Sequence, residues 1–387
     1  MPIRTRTATL TEKTPTPTRT QSACNSLRRI ADELGANARM PSFLELRENL
    51  KVSVVTLNKA LERLEGQQVL YRRHGVGIFV SQEVSRKTVA LMCNPIFFTA
   101  AEVSPFWHIL VEQVRASVSR EGHRLLFQFT TDPSNGDHNG IALQMEVMEA
   151  VKAGRIHGVL GIGISEGISI WLKAHGVPVI AFAGYSNYQD HEHYAVSFDN
   201  SQLVTVGVPL LVEKGCQRIG IWTAFGYHLG AEDTGEKDAL VARFEAVLAE
   251  SRLPFHPELV WEARHLPILP DGRRVETFWE QGYRTANAVL DGPQEQHPDA
   301  IICNSELMVQ GALIAMEKRG MRLREDMEVV GHANIGSRIL SPWEDDIVRV
   351  ANDPAEMARV MLLQLEARMR GESPEPRHRM LIPKIFP

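Results

Sequence analysis

Residues 40–65 read MPSFLELRENLKVSVVTLNKALERLE. Two short helices fit this stretch, and each is preceded by a serine that can cap it. Ser42 caps a helix over residues 43–50, and Ser53 caps the next helix after a tight turn at residues 51–53. The apolar positions of the second helix recur at helical spacing: Leu57, Ala60, Leu61 and Leu64. The stretch therefore predicts a helix-turn-helix.

The flanking residues extend this motif on both sides. Residues 22–34 predict a helix that ends at Gly35, and residues 68–73 and 78–81 predict two short strands. The segment HGVG at residues 74–77 joins these strands as a hairpin whose glycines are expected at positive φ. Three helices followed by a β-hairpin are the order of a winged helix, which we assign to residues 21–81.

Residues 40–65 and the wing YRRHGVGIFV at 71–80 resemble the GntR family of bacterial repressors. The resemblance covers about a fifth of the chain and implies sequence-specific binding to operator DNA. Family members usually carry Arg where this chain has Leu44 and Val54, and often Arg at Asn58. The resemblance therefore implies a different operator and fewer DNA contacts.

The candidate DNA contacts follow from helix-turn-helix docking, in which the start of the second helix of the motif enters the major groove. Thr56 and Asn58 are predicted to contact base edges, and Ser53 a phosphate. The predicted backbone and minor-groove contacts are Lys59, Arg72, Arg73 and His74, flanked by Arg47 and Lys51. Ser42, Gly75 and Gly77 complete the candidate set. For each cation taken singly, a solvated surface charge is an equally good interpretation.

Charge separates this region from the rest of the chain. Residues 1–90 carry 15 Lys and Arg against 8 Asp and Glu, a net charge of +7. The whole chain carries −5, which leaves −12 for residues 91–387. A basic segment joined to an acidic one is expected when only the first meets a polyanion.

Composition predicts a soluble globular protein, and the GntR resemblance implies a location in the bacterial cytoplasm, associated with the nucleoid. The sequence has 44% apolar residues and no apolar run long enough for a membrane span. Residues 1–20 are expected to be a disordered tail and residues 82–87 a linker. The cysteines fit small buried side chains in a reducing compartment: Cys24, Cys93, Cys216 and Cys303.

Residues 88–387 alternate short apolar strands with helices. Strands are predicted at residues 89–92, 125–129, 158–162, 178–182, 196–198, 218–222, 300–303 and 328–330. Helices are predicted after Ser104, at 145–151, 168–175, 201–213 and 306–318. This alternation predicts an α/β domain with parallel sheets that bind ligands at the carboxyl ends of their strands.

This larger segment resembles the effector domain of the LacI family, which has the fold of periplasmic sugar-binding proteins. The resemblance is carried by residues 196–200, 210–221, 298–302, 311–320 and 329–331. Together with the GntR-like segment it resembles the arabinose-repressor type of hybrid regulator. That resemblance implies two lobes joined by crossover strands, an effector in the cleft, and a homodimer.

The predicted effector contacts are polar and aromatic residues at or near strand ends: Asn94, Phe98, Tyr185, Arg243, Trp279, Glu306, Asn334 and Asp353. For each, a cap, core or surface role is at least as good an interpretation. The resemblance also implies an Arg where this chain has Leu240. It implies an Asp at two further positions, where this chain has Glu306 and Ala333. The resemblance therefore implies an effector unlike the common sugars, or a pocket that has lost sensitivity.

Motifs that would indicate an enzyme or a metal site are weaker than those of the DNA-binding segment. The glycines at 161, 163 and 167 have the wrong spacing for a dinucleotide loop, and DHEH at 190–193 cannot direct four ligands to one metal. We expect no catalytic residue, cofactor or metal. Two alternatives remain: a pyridoxal-dependent aminotransferase-like enzyme fused to a GntR-like segment, and a ligand-binding protein without DNA function. The sequence leaves the effector, the operator and the sign of regulation open.

Overall fold

The computed structural model describes residues 19–99, 102–130, 143–183, 194–224, 239–262 and 277–387. The chain divides into two compact units, the second of which begins at Thr88. We call residues 19–87 the head and residues 88–387 the body. Within these described ranges, no helix is both long and apolar enough to cross a membrane.

The head consists of three helices and a hairpin. Its elements are α1 (Arg19–Leu34), α2 (Phe43–Leu50), α3 (Val54–Gly66), β1 (Leu70–Arg73) and β2 (Gly77–Val80), followed by a 3₁₀ turn at Gln82–Ser85. One leucine or more from each helix is inaccessible to solvent: Leu27, Leu46, Leu57 and Leu61. These side chains form a single apolar core, which fixes α3 against α1 and α2.

Both helices of the predicted helix-turn-helix begin directly after the serine that was predicted to cap them. Ser42 forms a capping box with Glu45, in which each side chain binds the other residue's backbone N–H. Ser53 accepts a hydrogen bond from the Thr56 N–H. Between them Lys51 takes φ of 50°, a left-handed conformation that turns the chain sharply.

The wing is an antiparallel hairpin in which Arg73 pairs with Gly77. Its glycines have positive φ as predicted, 71° at Gly75 and 144° at Gly77. Arg39 adds a bridge to Phe79, and its guanidinium donates to the Val76 carbonyl at 2.8 Å. The segment before α2 thus supports the hairpin.

The body contains two six-stranded sheets. The sheet of the N-terminal lobe has the order β13-β7-β6-β5-β3-β4 and is parallel throughout. Its strands are β3 (Thr88–Cys93), β4 (Arg124–Phe129), β5 (Gly158–Ile162), β6 (Val179–Phe182), β7 (Tyr194–Phe198) and β13 (His378–Leu381). Its helices are α4 (Ile96–Thr99), α5 (Pro105–Arg120), α6 (Met145–Lys152), α7 (Glu166–Ala174) and α12 (Pro354–Met369).

The C-terminal lobe repeats this arrangement. Its sheet has the order β14-β12-β11-β10-β8-β9, in which only the pairing of β14 is antiparallel. Its strands are β8 (Ile219–Thr223), β9 (Val260–Glu262), β10 (Ala300–Cys303), β11 (Glu328–Asn334), β12 (Val348–Asn352) and β14 (Lys384–Phe386). Its helices are α8 (Gln202–Glu213), α9 (Ala239–Glu250), α10 (Phe278–Leu290) and α11 (Glu306–Lys318).

Three segments connect the lobes. The chain crosses from β7 to α8 near Asn200, returns from β12 to α12 at Asp353, and crosses again from β13 to β14 at Pro383. Each crossover leaves the carboxyl end of a strand. The crossovers therefore lie where parallel sheets leave room for a ligand.

Two glycines allow α10 and α11 to pack closely. A Cβ at Gly282 would collide with the Met308 carbonyl, and one at Gly311 with the Trp279 carbonyl. We expect Gly282→Ala to lower the free energy of unfolding by about 3 kcal/mol, because backbone atoms cannot move aside as a side chain can. Chemical denaturation of the full chain measures this change.

Gly167→Ala is the matched control. Gly167 lies in α7 of the same unit, and the nearest atom to an added Cβ would be the Ser165 hydroxyl at 4.0 Å. We expect this change to be neutral or to stabilise the body by up to about 1 kcal/mol. Equal stability of the two variants would contradict the proposed role of the α10–α11 contact.

Candidate nucleic-acid interface and effector cavity

The first turn of α3 holds its hydroxyl groups together. The Ser53 hydroxyl accepts from the Thr56 N–H at 3.1 Å and lies 2.9 Å from the Thr56 hydroxyl. Asn58 and Lys59 follow Val55 by three and four residues, so these three side chains share a helix face. Val55 and Lys59 are exposed and Asn58 is half-buried. This face offers an apolar group, an amide and a cation to solvent.

The residues around α2 contribute less free polar surface than predicted. The Ser42 hydroxyl accepts from the Glu45 N–H, and the Glu45 carboxylate accepts from the Ser42 N–H at 2.7 Å. Both Ser42 groups are thus used in starting the helix. Arg47 is half-buried and Lys51 exposed, which leaves these two cations at the turn between the helices.

The wing arginines are held by neighbouring groups. Arg72 pairs with Glu65 of α3 at 2.7 Å. The Arg73 guanidinium lies 5.5 Å from the Tyr71 ring centroid and 5.1 Å from that of Phe79. These contacts restrict both side chains and fix where their charges stand.

The tip of the wing combines predicted and unpredicted groups. His74 and Gly75 are exposed, and Gly77 allows the Arg39 guanidinium to approach, since a Cβ there would lie 3.1 Å from its Nε. Sequence reasoning missed Arg39. Its bridge to Phe79 is a long-range pairing that no helical or strand periodicity reveals.

A cavity of about 270 Å³ lies at the carboxyl ends of the C-terminal sheet. Its polar lining consists of Asn200, Ser201, Arg243, Asn304, His332 and Asn352. Asn200 and Pro383 belong to two crossovers and Asn352 immediately precedes the third. The cavity therefore touches all three connections between the lobes.

The cavity also lies at the topological switch point of this sheet. The strand order reverses around β8, whose neighbours are β9 and β10. Asn304 follows β10, and its Oδ1 accepts a hydrogen bond from the Ala224 N–H just after β8 at 2.7 Å. Crevices at such points are the usual ligand sites of open α/β sheets.

Unsatisfied polar atoms mark one wall of the cavity. The Asn352 amide donates to Nε2 of His332 at 3.0 Å, which leaves the imidazole proton on Nδ1. His332 Nδ1 and Asn352 Oδ1 are buried and have no hydrogen-bond partner among the described residues. Burial lowers the pKa of His332 to about 4, so the imidazole is neutral at pH 7. These two lining residues thus carry one donor and one acceptor that the described residues leave unused.

Of the predicted effector residues, Arg243 lines this cavity, and its guanidinium also pairs with Glu250 at 3.1 Å. Glu306 and Asn334 instead bind each other, with the Asn334 amide donating to the carboxylate at 2.9 Å. Burial raises the pKa of the Glu306 carboxyl.

Asp353 caps α12 and pairs with Lys384 at 2.9 Å. Hydrogen bonds from these partners hold the pKa of Asp353 below its ordinary value despite partial burial.

The remaining predicted residues lie in other settings. Asn94 accepts from the Ile96 N–H at 3.0 Å and so supports the start of α4. Phe98 contacts His108, Phe127 and Phe129 at the edge of the N-terminal sheet. Trp279 stacks on Tyr283 with ring centroids 5.3 Å apart.

Tyr185 and the DHEH segment at 190–193 lie outside the described residues. Within the described ranges, no group of three or more His, Cys, Asp and Glu side chains could hold a metal ion. The four cysteines are all buried and free. Burial raises the pKa of the Cys93 and Cys303 thiols to about 12, which keeps them protonated.

A carboxylate from the N-terminal lobe caps a helix of the C-terminal lobe. Glu102, in the loop before α5, accepts hydrogen bonds from the N–H groups of Phe278 and Trp279, the latter at 3.2 Å. Burial raises the pKa of Glu102. This contact joins the two lobes through a single side chain, whose negative charge stands at the positive N-terminal end of α10.

Two family models match the chain. Residues 27–80 match "Bacterial regulatory proteins, gntR family", and residues 208–387 match "Periplasmic binding protein-like domain". The chain joins a GntR-type head to a periplasmic binding protein-like body. The hybrid architecture implied by the sequence resemblance is confirmed, as is the α/β fold with parallel sheets.

Relatives and solved structures agree with this assignment. The HTH-type transcriptional repressor PurR of Haemophilus influenzae (strain PittEE) is 31% identical over 152 residues, and that of Photorhabdus laumondii is 30% identical over 121. The first match covers 38% of this chain and 37% of the relative, so the chain spans about a third of the length of the curated relatives it matches.

Similarity in fold covers a larger share of the chain than similarity in sequence does. A LacI-family regulatory protein from Chloroflexus aggregans has a TM-score of 0.60 at 20% identity, covering 77% of this chain and 96% of its own. The transcriptional regulator CelR, solved with cellobiose, has a TM-score of 0.57 at 17% identity, covering 97% of this chain and 99% of its own. At these identities the likeness concerns the fold.

The low pKa of His332 predicts a pH-dependent stability. Below about pH 6.5 the unfolded chain binds a proton that the folded chain takes up only near pH 4, so stability falls as the pH is lowered through this window. We expect His332→Gln to remove about 1–2 kcal/mol of the loss between pH 7 and pH 5. Denaturant titrations at the two pH values measure it.

His175→Gln removes an exposed imidazole from the end of α7 and serves as the control for loss of one histidine. We expect this variant to retain the pH dependence of the unsubstituted protein. If His332→Gln also retained it, the imidazole would not be held neutral by burial.

Proposed function

We propose that this protein is a transcriptional regulator whose head binds duplex DNA and whose body binds a small effector. The observation that carries the proposal is the head surface formed by α3 and the wing. There Lys51, Lys59, Arg72, Arg73 and His74 are all exposed. A helix start flanked by cations and a β-hairpin matches the docking of winged helix-turn-helix domains on DNA. The named regulators among its relatives support the same conclusion.

The cavity of the body supports a ligand-responsive role. Because it touches all three crossovers, a ligand that fills it favours one orientation of the lobes over others. Differential binding to two lobe orientations is what an effector needs to shift an equilibrium. The Glu102 contact provides an interaction between the lobes that such a shift can make or break.

The effector is proposed to be a small, polar, uncharged or anionic molecule, and a sugar-like metabolite remains one candidate. The lining offers amides, the Ser201 hydroxyl, one imidazole and the Arg243 guanidinium beside five apolar residues, and no described lining residue carries a carboxylate. The volume of about 270 Å³ is slightly below that of drug-sized pockets, which begin near 300 Å³. Monosaccharides and molecules of similar size fit this limit.

The remaining features of the proposal follow from the hybrid architecture. The regulator would act as a homodimer, because two heads are needed for a two-part operator. It would work in the bacterial cytoplasm at the nucleoid, and repression is the mode proposed from the named relatives. An enzymatic role gains no support from the named relatives, which are transcriptional regulators.

Selection of bound duplexes tests the proposal. The purified full chain is mixed with fragmented genomic DNA at low ionic strength, and retained fragments are sequenced. Enrichment of discrete fragments, followed by their release by a metabolite that also raises the melting temperature of the protein, is the expected result. Failure to retain any fragment would overturn the regulatory function.

The wing arginines provide a sharper prediction. Each of Arg72→Ala and Arg73→Ala should weaken binding to all duplex sequences and lower the slope of log affinity against log salt by about 1, because one phosphate contact is lost. Fluorescence anisotropy at several salt concentrations measures both quantities. Arg29→Ala, which removes an exposed arginine of α1, is the control and should leave the slope unchanged. Unaltered binding by both wing variants would refute the interface.

The lobe contact predicts a conformational effect. Glu102→Ala removes two hydrogen bonds at the start of α10 and should weaken the contact between the lobes by about 1 kcal/mol, a value typical of lost helix caps. Small-angle scattering should then show a more expanded average shape. Glu112→Ala, from an exposed site in α5, should scatter like the unsubstituted protein. Identical profiles for all three proteins would exclude a role for Glu102 in lobe orientation.

A further inference from the structure

Two valines open α3 and face solvent. The exposed fractions are 45% for Val54 and 64% for Val55, whereas Leu57 and Leu61 of the same helix are inaccessible. The helix start is already capped by Ser53, and β-branched residues favour helices less than alanine or the long polar residues do. Neither core packing nor helix stability therefore accounts for valine at both positions.

Cations surround this apolar pair. Lys51 precedes it at the turn, and Lys59 follows Val55 by one helical turn on the same face. A surface that is apolar at its centre and positive at its edge suits a polyanion with apolar groups between its charges. Duplex DNA has this pattern in its major groove, where phosphates border the base edges.

The major groove presents one apolar group to a protein, the C5 methyl of thymine. We propose that Val54 and Val55 read sequence by packing against thymine methyl groups. This inference rests on the proposed function, and it assigns to that function a base preference carried by van der Waals contact rather than by charged side chains.

The polar groups of α3 favour the same base pairs. The Thr56 hydroxyl is held by Ser53 at 2.9 Å, which leaves the Asn58 amide as the principal polar reader on this face. An asparagine amide binds N6 and N7 of adenine through two hydrogen bonds. Valines that select thymine and an asparagine that selects adenine together specify A·T pairs beneath the first two turns of α3.

The test removes single methyl groups from the DNA. Duplexes bound by the full chain are first selected from a random-sequence library, and each thymine of the selected site is then replaced in turn by deoxyuridine. Uracil differs from thymine only in lacking the methyl. We expect A·T pairs in each half-site, and about fourfold weaker binding for each contacted methyl removed.

Variants connect the effect to the two valines. In Val54→Ala and Val55→Ala the penalty for at least one uracil substitution should fall below twofold, because the methyl has lost its partner. Val76→Ala removes an exposed valine from the wing tip and should keep the full fourfold penalty. Circular dichroism and thermal unfolding check that all three variants fold. For the two α3 variants this is expected, since alanine favours helices.

The outcomes separate this inference from the proposed function. A discrete site could be selected for which uracil substitution has no effect, or for which both α3 variants show the same penalty as the unsubstituted protein. In either case the regulatory function stands and methyl recognition is overturned. Half-sites dominated by G·C pairs would overturn it as well. If no duplex is enriched, the proposed function fails and the inference fails with it.

Discussion

Three chain crossings between the two largely parallel sheets constrain everything else in the body. Each crossing leaves the carboxyl end of a strand, so the hinge and the ligand-accepting edge of the C-terminal sheet coincide. Polar side chains that follow or end buried strands, such as Asn304 and Asn352, consequently meet there although they are distant in sequence. A ligand at this edge is in contact with the hinge itself, and no separate pathway is needed to carry its effect between the lobes.

Local signals made the head the most predictable part of the molecule. The caps at Ser42 and Ser53 and the glycines of the wing act within a few residues, and the structure contains the helices and turns that they predict. Apart from the one-turn helix α4, the strands and helices between Thr88 and Thr223 were also located within a few residues. Helices α4, α9, α10 and α12, strand β9 and the last three strands were not assigned, because they are short or their apolar residues are interrupted by polar ones.

The cavity was less predictable than the fold. Glu306 and Asn334 follow or end buried strands, as ligand residues do, yet they hydrogen-bond to each other. His332 and Asn352 were missed because single polar residues within apolar strands give no periodic signal. Their meeting depends on the pairing of β11 with β12, which is a property of the topology. Position in sequence therefore identified the edge of the sheet but not the side chains that remain available there.

The place of α12 bears on how the protein is made. Met357, Met361 and Leu365 of this late helix complete the apolar core beneath β3 and β5, and β13 then adds the outermost strand of the same sheet. The lobe whose strands are made first is thus completed by residues that follow β8 to β12 of the other lobe. During translation its unfinished core stays exposed while all but the last strand of the second lobe is synthesised, and this long delay makes the nascent chain a natural client for chaperones.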